Sequence, residues 1–141
     1  MLTDRIGYHL KRLQQALRLA MDAALRELNL TSAQYGALTA LEDMPGVSSA
    51  ALARACFVTA QTMNEIVQGL IVSGLVTRQS HPEHGRIVQL SLTAEGKSRL
   101  AQAHQAIAII EEQMLAGLAS QEQRQFVQWL QQCSVALEAE S

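Results

Sequence analysis

Apolar side chains in the first 30 residues recur at intervals of three and four positions, which is the spacing of one face of a helix. The stripe runs from Ile6 to Leu28 and predicts one long amphipathic helix. The arginines of this segment lie outside the stripe. The stripe therefore packs either on the core of its own domain or against a partner chain, and the sequence leaves both possibilities open.

Hydroxyl side chains mark the starts of three further helices. Serine and threonine are favoured N-caps because they accept a hydrogen bond from the first free backbone N–H groups of a helix. They occur at Thr31, at Ser48 or Ser49, and at Thr59. Gln34 completes a capping box with the first of them, and Pro45 stops the helix that begins there. Only residues 56–58 separate the third helix, 50–55, from the fourth, so the pattern predicts a helix-turn-helix.

The fourth predicted helix has one apolar and one polar face. Its apolar side chains share one side: Met63, Ile66, Val67, Leu70 and Ile71. Gln61, Glu65 and Gln68 point roughly the opposite way, with Asn64 at the flank. Gly74 supplies the left-handed residue at which such a helix ends. The helix therefore displays its polar side chains outward.

Beyond this glycine the pattern changes from helical to alternating. Residues 75–80 and 86–92 follow the two-residue period of strands, most clearly in the second run. The segment between them, 80–85, is polar. Two such runs joined by a short polar segment predict a β-hairpin with a polar tip.

Two helices follow the predicted hairpin. Thr93 caps a long helix whose apolar face runs from Leu100 to Leu118. Ser120 and Gln123 match a second capping box and predict the start of the last helix. The apolar side of the last helix consists of Phe126, Trp129, Leu130, Cys133 and Leu137. The predicted order is four helices, a hairpin and two helices.

The composition fits a helical globular domain. Apolar residues make up 48% of the 141 residues, aromatic residues 4% and charged residues 17%, and there are two prolines and two cysteines. These values argue against disorder and against a disulfide scaffold. The longest aliphatic run, 106–110, is far shorter than the roughly 20 residues of a membrane span, and the first residues lack the pattern of a signal peptide. We therefore expect a cytoplasmic protein.

The net charge of −2 is unevenly distributed along the chain. Residues 47–99 carry five arginines and lysines against three glutamates, whereas residues 100–141 carry one arginine against five glutamates. Only the middle of the chain therefore favours a polyanionic partner.

A helix-turn-helix followed at once by a two-stranded hairpin is the arrangement of a winged helix. In that fold the second helix enters the major groove, which is about 12 Å wide, while the hairpin reaches phosphates or the minor groove. The order and spacing of the elements therefore predict a mostly α fold with a small β-hairpin wing, in one continuous unit over residues 1–141.

Short motifs in the same order resemble the MarR-type transcriptional regulators over nearly the whole chain. They are Leu30-Thr31-x-x-Gln34-Tyr35-x-x-Leu38, Leu52-Ala53, Val58-Thr59-x-Gln61-Thr62-Met63, Gly74-Leu75-Val76-x-Arg78, Pro82-Glu83-His84-Gly85-Arg86 and Leu92-Thr93-x-x-Gly96. The resemblance implies a homodimer in which a DNA-binding lobe, 31–99, is flanked by dimerisation helices in 1–30 and 100–141. It also implies a recognition helix at 59–74, a wing that touches DNA, and repression relieved by a small ligand.

A DNA-binding role predicts contacts from the helix-turn-helix and the wing. The recognition helix contains no lysine or arginine, so phosphate contacts fall to arginines outside it and to backbone amides at its start. Amide side chains suit adenine, and Glu65 suits cytosine. The predicted DNA-binding residues are Arg54, Thr59, Gln61, Thr62, Asn64, Glu65, Gln68, Arg78 and Arg86. A dimer of such units is expected to bind a pseudo-palindromic operator with half-sites about one helical turn apart.

The dimer interface and the effector site follow from the same resemblance. The predicted interface comprises Ile6, Leu10, Leu13, Leu17, Ile107, Ile110, Met114, Trp129 and Leu130. Ligands typical of such regulators are small aromatic acids or similar anions, held between the dimer helices and the winged helix. The predicted effector pocket comprises Tyr8, His9, Arg12 and Tyr35. We expect no cofactor and no membrane partner.

Two other function classes stay open at this stage. The cation-free recognition helix and the negative net charge also fit a winged-helix module that binds proteins and no specific DNA. An enzyme is the weakest alternative, because the chain has no glycine-rich phosphate loop and no nucleophile elbow. His81, Glu83 and His84 lie close together in the hairpin tip, but no further ligand is near, so we predict no metal site. Cys56, in the turn of the helix-turn-helix, is predicted to be buried rather than redox-active.

Overall fold

The computed structural model describes residue 1 and residues 4–139. This described part of the chain forms six α-helices and two strands: α1 (Ile6–Arg26), α2 (Ser32–Asp43), α3 (Ser49–Ala55), α4 (Ala60–Val72), β1 (Val76–Ser80), β2 (Val88–Leu92), α5 (Ala94–Leu115) and α6 (Ser120–Glu138). The predicted fold class and element order are confirmed. The chain divides into two compact units, residues 1–107 and 108–141.

The starts of α2, α3 and α4 are capped as predicted. The Thr31 hydroxyl accepts from the backbone N–H of Gln34, and the Gln34 side chain accepts from the backbone N–H of Thr31, each at 3.0 Å. Ser48 caps α3 and Thr59 caps α4 in the same way. Local sequence therefore determines these boundaries, because the donor and the acceptor of each cap are three residues apart.

The hairpin follows α4 through a left-handed glycine. Gly74 has φ 77°, and the next backbone N–H, that of Leu75, donates to the carbonyl of Leu70 at 2.9 Å. The strands pair antiparallel with Val76 opposite Leu92 and Ser80 opposite Val88. The loop before α3 joins this sheet through an isolated bridge between Val47 and Leu90. The hairpin is thereby attached to the helix-turn-helix.

The core of the first unit is almost entirely aliphatic. Its most deeply buried large side chains are Leu25, Leu38, Leu41, Leu52, Met63, Val67, Leu70, Leu75, Leu90 and Leu100. They come from α1 to α5, from β2 and from Leu75, the residue before β1. Val76 of β1 is also buried, so every element of this unit contributes. The low aromatic content of the sequence agrees with this packing.

Helix α5 begins directly against the start of the hairpin. The Thr93 hydroxyl donates to the carbonyl of Gly74 at 2.6 Å and accepts from the backbone N–H of Gly96 at 3.0 Å. A Cβ atom at Gly96 would lie 2.0 Å from the carbonyl oxygen of Leu75. The glycine of the Leu92-Thr93-x-x-Gly96 motif is therefore required by the close approach of two backbones.

The predicted start of α6 is wrong by one residue. Ala119, not Ser120, is the N-cap, and its backbone N–H donates to Oε1 of Glu122 at 2.7 Å. The Gln123 side chain instead donates to the carbonyls of Leu115 and Leu118, at 3.1 and 3.0 Å. An acidic side chain in the first helical turn also suits the helix dipole, which favours this earlier start.

Among the described residues, no helix combines the length and the apolar character that crossing a bilayer requires.

Candidate nucleic-acid interface

Helices α3 and α4 form a helix-turn-helix in which residues 56–59 separate the two helices. The backbone N–H of Val58 donates to the carbonyl of Ala53 at 3.1 Å, which closes the turn. Phe57, the second residue of this segment, has φ 58° and is 93% exposed. A bulky residue in the left-handed region is strained, and no core contact compensates for the strain here.

Helix α4 buries one side and exposes the other, as its sequence predicts. Met63, Val67 and Leu70 are buried in the core. The exposed side carries five of the predicted DNA-binding residues: Gln61, Thr62, Asn64, Glu65 and Gln68. Four of these, all but Thr62, line one open groove together with Gln34 and Arg78. The structure thus brings Arg78 of β1 to the polar face of α4. The spacing of these residues in the sequence does not show that they lie close together.

Three of the predicted DNA-binding residues at or near the start of α4, Thr59, Thr62 and Asn64, are already engaged within the protein. The Thr59 hydroxyl accepts from the backbone N–H of Thr62 at 3.1 Å and lies 3.0 Å from the Thr62 hydroxyl. The Ser49 hydroxyl, at the start of α3, donates to Oδ1 of Asn64 at 2.7 Å. These contacts order the side chains around the first turns of the helix.

The three predicted phosphate-binding arginines, Arg54, Arg78 and Arg86, are all exposed. Arg54 lies in the last turn of α3, Arg78 on β1 and Arg86 in the hairpin tip. Within the described residues, no ion pair engages any of them. Their positive charges are therefore available to an anionic partner.

The tip of the hairpin is organised by His81. Its Nδ1 accepts from the backbone N–H groups of Glu83 and His84 at 3.0 and 3.1 Å. The His81 backbone N–H donates to the carbonyl of Ile87 at 2.7 Å, and the Ile87 N–H donates to the carbonyl of His84 at 2.8 Å. These bonds close the loop that carries Arg86. In the described part of the chain, no three His, Cys, Asp or Glu side chains are placed to hold a metal.

A cavity of about 600 Å³ lies between α2 and the turn of the helix-turn-helix. Of the four predicted effector residues, only Tyr35 lines it. Tyr8 and His9 instead contact each other edge to face, with ring centroids 5.4 Å apart, and Arg12 is exposed on α1. The lining residues that the sequence interpretation missed include Met21, Ser32, Thr39, Asp43, Met44, Cys56, Val58 and Ile66. The sequence contained one indication of this cavity: the side of α2 that faces it carries the small residues Ala33, Gly36 and Ala40.

Cys56 lines the same cavity and is only partly buried. Burial raises the pKa of its thiol above the usual value. Less thiolate is therefore present near neutral pH, which lowers the reactivity of this cysteine. Cys133, on α6, is exposed.

Large apolar side chains are exposed on α1 and, within the second unit, on α6. Ile6 and Leu10 of α1 are 78% and 52% exposed, and Leu13 is also exposed. On α6 the exposed set comprises Val127, Trp129, Leu130, Val135 and Leu137. Ile107, which the sequence interpretation assigned to the same interface, is only 4% exposed and packs in the core of the first unit.

Comparison with known proteins shows similarity over most of the chain. A sequence profile described as the MarR family matches residues 28–87. The HTH-type transcriptional repressor Rv2887 of Mycobacterium tuberculosis is 36% identical over 126 residues, which are 89% of this chain and 91% of that protein.

Solved structures of the same mycobacterial protein are also similar. Its crystal structure in complex with DNA has a TM-score of 0.79 at 33% identity, and the match covers 92% of this chain and 97% of that chain. Its complex with salicylic acid has a TM-score of 0.76 at 35% identity, and covers 92% of this chain and 96% of that chain.

Proposed function

Because the chain belongs to the MarR family, we propose that it is a transcriptional repressor that binds a specific sequence of duplex DNA. The observation that carries this proposal is the exposed polar face of α4, which shares a groove with Arg78. Solved complexes of the related repressor Rv2887 contain DNA in one case and salicylic acid in another, which supports both a DNA partner and a small ligand. We also propose that the protein is cytoplasmic, because it acts on DNA. We assign it no catalytic role.

Residues 31–99 form the DNA-binding lobe in this proposal. Arg54, Arg78 and Arg86 contact phosphates and so set the position of the protein on the duplex. Exposed side chains of α4 read base edges in the major groove: Gln61, Thr62, Asn64, Glu65 and Gln68. Thr59 caps the helix whose N-terminus approaches the DNA.

Two copies of the chain bind together through residues 1–30 and 100–141. The exposed apolar side chains on α1 and α6 support this assignment, because a lone chain would leave them in water. Ile6, Leu10, Leu13, Leu17, Ile110, Met114, Trp129 and Leu130 form the proposed interface. Ile107 is left out because it is already buried. A two-fold dimer then requires an operator with two half-sites about one helical turn apart.

The cavity beside Tyr35 holds the effector in this proposal. It is large enough for a single-ring aromatic molecule, and its walls include the turn that precedes α4. A ligand that binds there contacts the segment that positions the recognition helix. Binding of the effector therefore weakens the DNA complex through this contact.

Selection from random duplex oligonucleotides tests the proposed function. We expect the protein to enrich a pseudo-palindromic sequence, and salicylate to lower its affinity for that sequence. The variant Arg86→Ala should bind all DNA sequences more weakly than the wild type does. It should also lower the slope of log affinity against log salt concentration by about one. Size-exclusion chromatography with light scattering should give the mass of a dimer.

An absence of any enriched sequence would favour a different role. The recognition helix has no cation of its own and the net charge is −2, which also suits a winged-helix module that binds another protein. In that case Arg86→Ala would leave the weak, sequence-independent DNA binding with an unchanged salt slope.

A further inference from the structure

Ser49 and Asn64 join the two helices of the helix-turn-helix through their side chains. Ser49 is the first residue of α3, and Asn64 lies on the exposed side of α4, 15 residues later. The Ser49 hydroxyl donates to Oδ1 of Asn64 at 2.7 Å. Asn64 also lines the open groove with Gln61, Glu65 and Gln68. One of the candidate base-reading amides is thus held by a residue outside the recognition helix.

In this hydrogen bond the Asn64 amide presents its oxygen, not its NH2 group, to Ser49. An asparagine amide carries an acceptor oxygen and an NH2 group with two donors, and a free exposed side chain presents either to a partner. With Oδ1 directed to the Ser49 hydroxyl, the NH2 group is directed away from α3. The bond also reduces the number of side-chain conformations that binding has to order.

We infer that Ser49 is a positioning residue for DNA sequence recognition, acting by orienting Asn64 as a hydrogen-bond donor. This rests on the proposed DNA-binding function. A donor in the major groove is matched by purine N7, guanine O6 or thymine O4, whereas the cytosine amino group offers a donor and is not matched. Asn64 therefore selects an acceptor edge at one base-pair position of each half-site, and Ser49 is needed for that selection.

A double-mutant cycle on DNA affinity tests the inference. The variants are Ser49→Ala, Asn64→Ala, the double variant, and Ser49→Thr, which keeps the hydroxyl. Each is titrated against the operator obtained by selection and against a set of operators changed at one base pair at a time. Unfolding of every variant is followed by circular dichroism, so that loss of folding is separated from loss of recognition.

We expect Asn64→Ala to lose discrimination at one base-pair position, by about tenfold. Ser49→Ala should lose discrimination at the same position, and the double variant should match Asn64→Ala alone because the two residues act as a unit. Ser49→Thr should retain the wild-type preference. In the variants that lose discrimination, affinity for unrelated duplex DNA should fall far less than affinity for the operator.

The inference is overturned if Ser49→Ala keeps the wild-type preference at every position, or if the losses from the two single variants add. A wild-type protein that selects no sequence overturns the proposed function, and this inference with it. A wild-type protein that selects a sequence, with Ser49→Ala unchanged, overturns the inference alone.

Discussion

The phenol oxygen of Tyr35 on α2 lies 2.8 Å from Nδ1 of His104 on α5. The other ring nitrogen of His104 lies 3.1 Å from Oε1 of Glu42, about two helical turns further along the same face of α2. The histidine therefore links two positions of α2 to the N-terminal half of α5. Tyr35 also lines the proposed effector cavity, so this link borders the ligand site.

Removing the Tyr35 hydroxyl should weaken this link without changing the shape of the ring. We expect Tyr35→Phe to lower the free energy of unfolding by about 1 kcal/mol, which is typical for one partly buried hydrogen bond. Chemical denaturation measures the change. Tyr8→Phe is the matched control, because no described residue bonds the Tyr8 hydroxyl, and its stability should stay at the wild-type value. Equal effects of the two substitutions would show that the His104 contact contributes nothing.

Gly96 should tolerate no side chain. Gly96→Ala places a Cβ atom 2.0 Å from the Leu75 carbonyl oxygen, so α5 and the start of the hairpin have to separate. We expect a loss of about 3 kcal/mol in the free energy of unfolding, as for overpacked cores. Gly7→Ala is the control: nothing lies within 4 Å of its added Cβ, and alanine favours helix, so this variant should be slightly more stable than wild type. A thermal unfolding midpoint for Gly96→Ala near that of the wild type would contradict the close approach.

Phe57 should be less stabilising than glycine at the same position. Its φ of 58° is unfavourable for a bulky residue, and its side chain is 93% exposed, so little packing is lost on truncation. We expect Phe57→Gly to raise the free energy of unfolding by about 1 kcal/mol, measured in urea. Asn29→Gly is the comparison, since Asn29 also has a positive φ, of 56°, but asparagine tolerates it, and the gain should be smaller. A destabilised Phe57→Gly variant would mean that the ring has a packing role.

The wing should depend on the acceptor that His81 provides. His81→Ala removes the acceptor for the N–H groups of Glu83 and His84, and we expect the loosened tip to weaken DNA binding about as much as Arg86→Ala. An asparagine side chain can accept from the backbone N–H two residues ahead, so His81→Asn should restore most of the affinity. Fluorescence anisotropy with the selected operator measures all three. If His81→Asn binds as poorly as His81→Ala, the histidine acts through something other than its acceptor.

The effector cavity should prefer a neutral aromatic ligand to an anionic one. Asp43 lines it, and none of the lining residues is a lysine, arginine or histidine. We expect salicylamide to bind about tenfold more tightly than salicylate, because a carboxylate ligand is repelled by Asp43. Calorimetric titration of both compounds measures this, and Asp43→Asn should raise the affinity for salicylate only.

Tighter binding of salicylate that is insensitive to Asp43→Asn would contradict this prediction. It would require a cation that reaches the cavity from outside its present lining, such as one supplied by the second chain of the dimer.

Local sequence determined the helix starts, the left-handed end of α4 and the hairpin of this protein. In each case the interacting groups lie a few residues apart, as for Thr31 and Gln34, so their geometry follows from backbone conformation alone. The error at α6 was also local: Ser120 with Gln123 and Ala119 with Glu122 are competing starts one residue apart. In the structure Gln123 donates instead to Leu115, the last residue of α5, and to Leu118 in the turn after it.

The tertiary structure alone decided which distant side chains meet. Tyr35 joins the cavity while Tyr8, His9 and Arg12 do not, because the crossing of α1, α2 and the helix-turn-helix determines which faces enclose space. Ser49 meets Asn64, and Gly96 meets Leu75, for the same reason. Periodicity gives the face of a helix on which a residue lies, but what that face touches depends on how the helices pack.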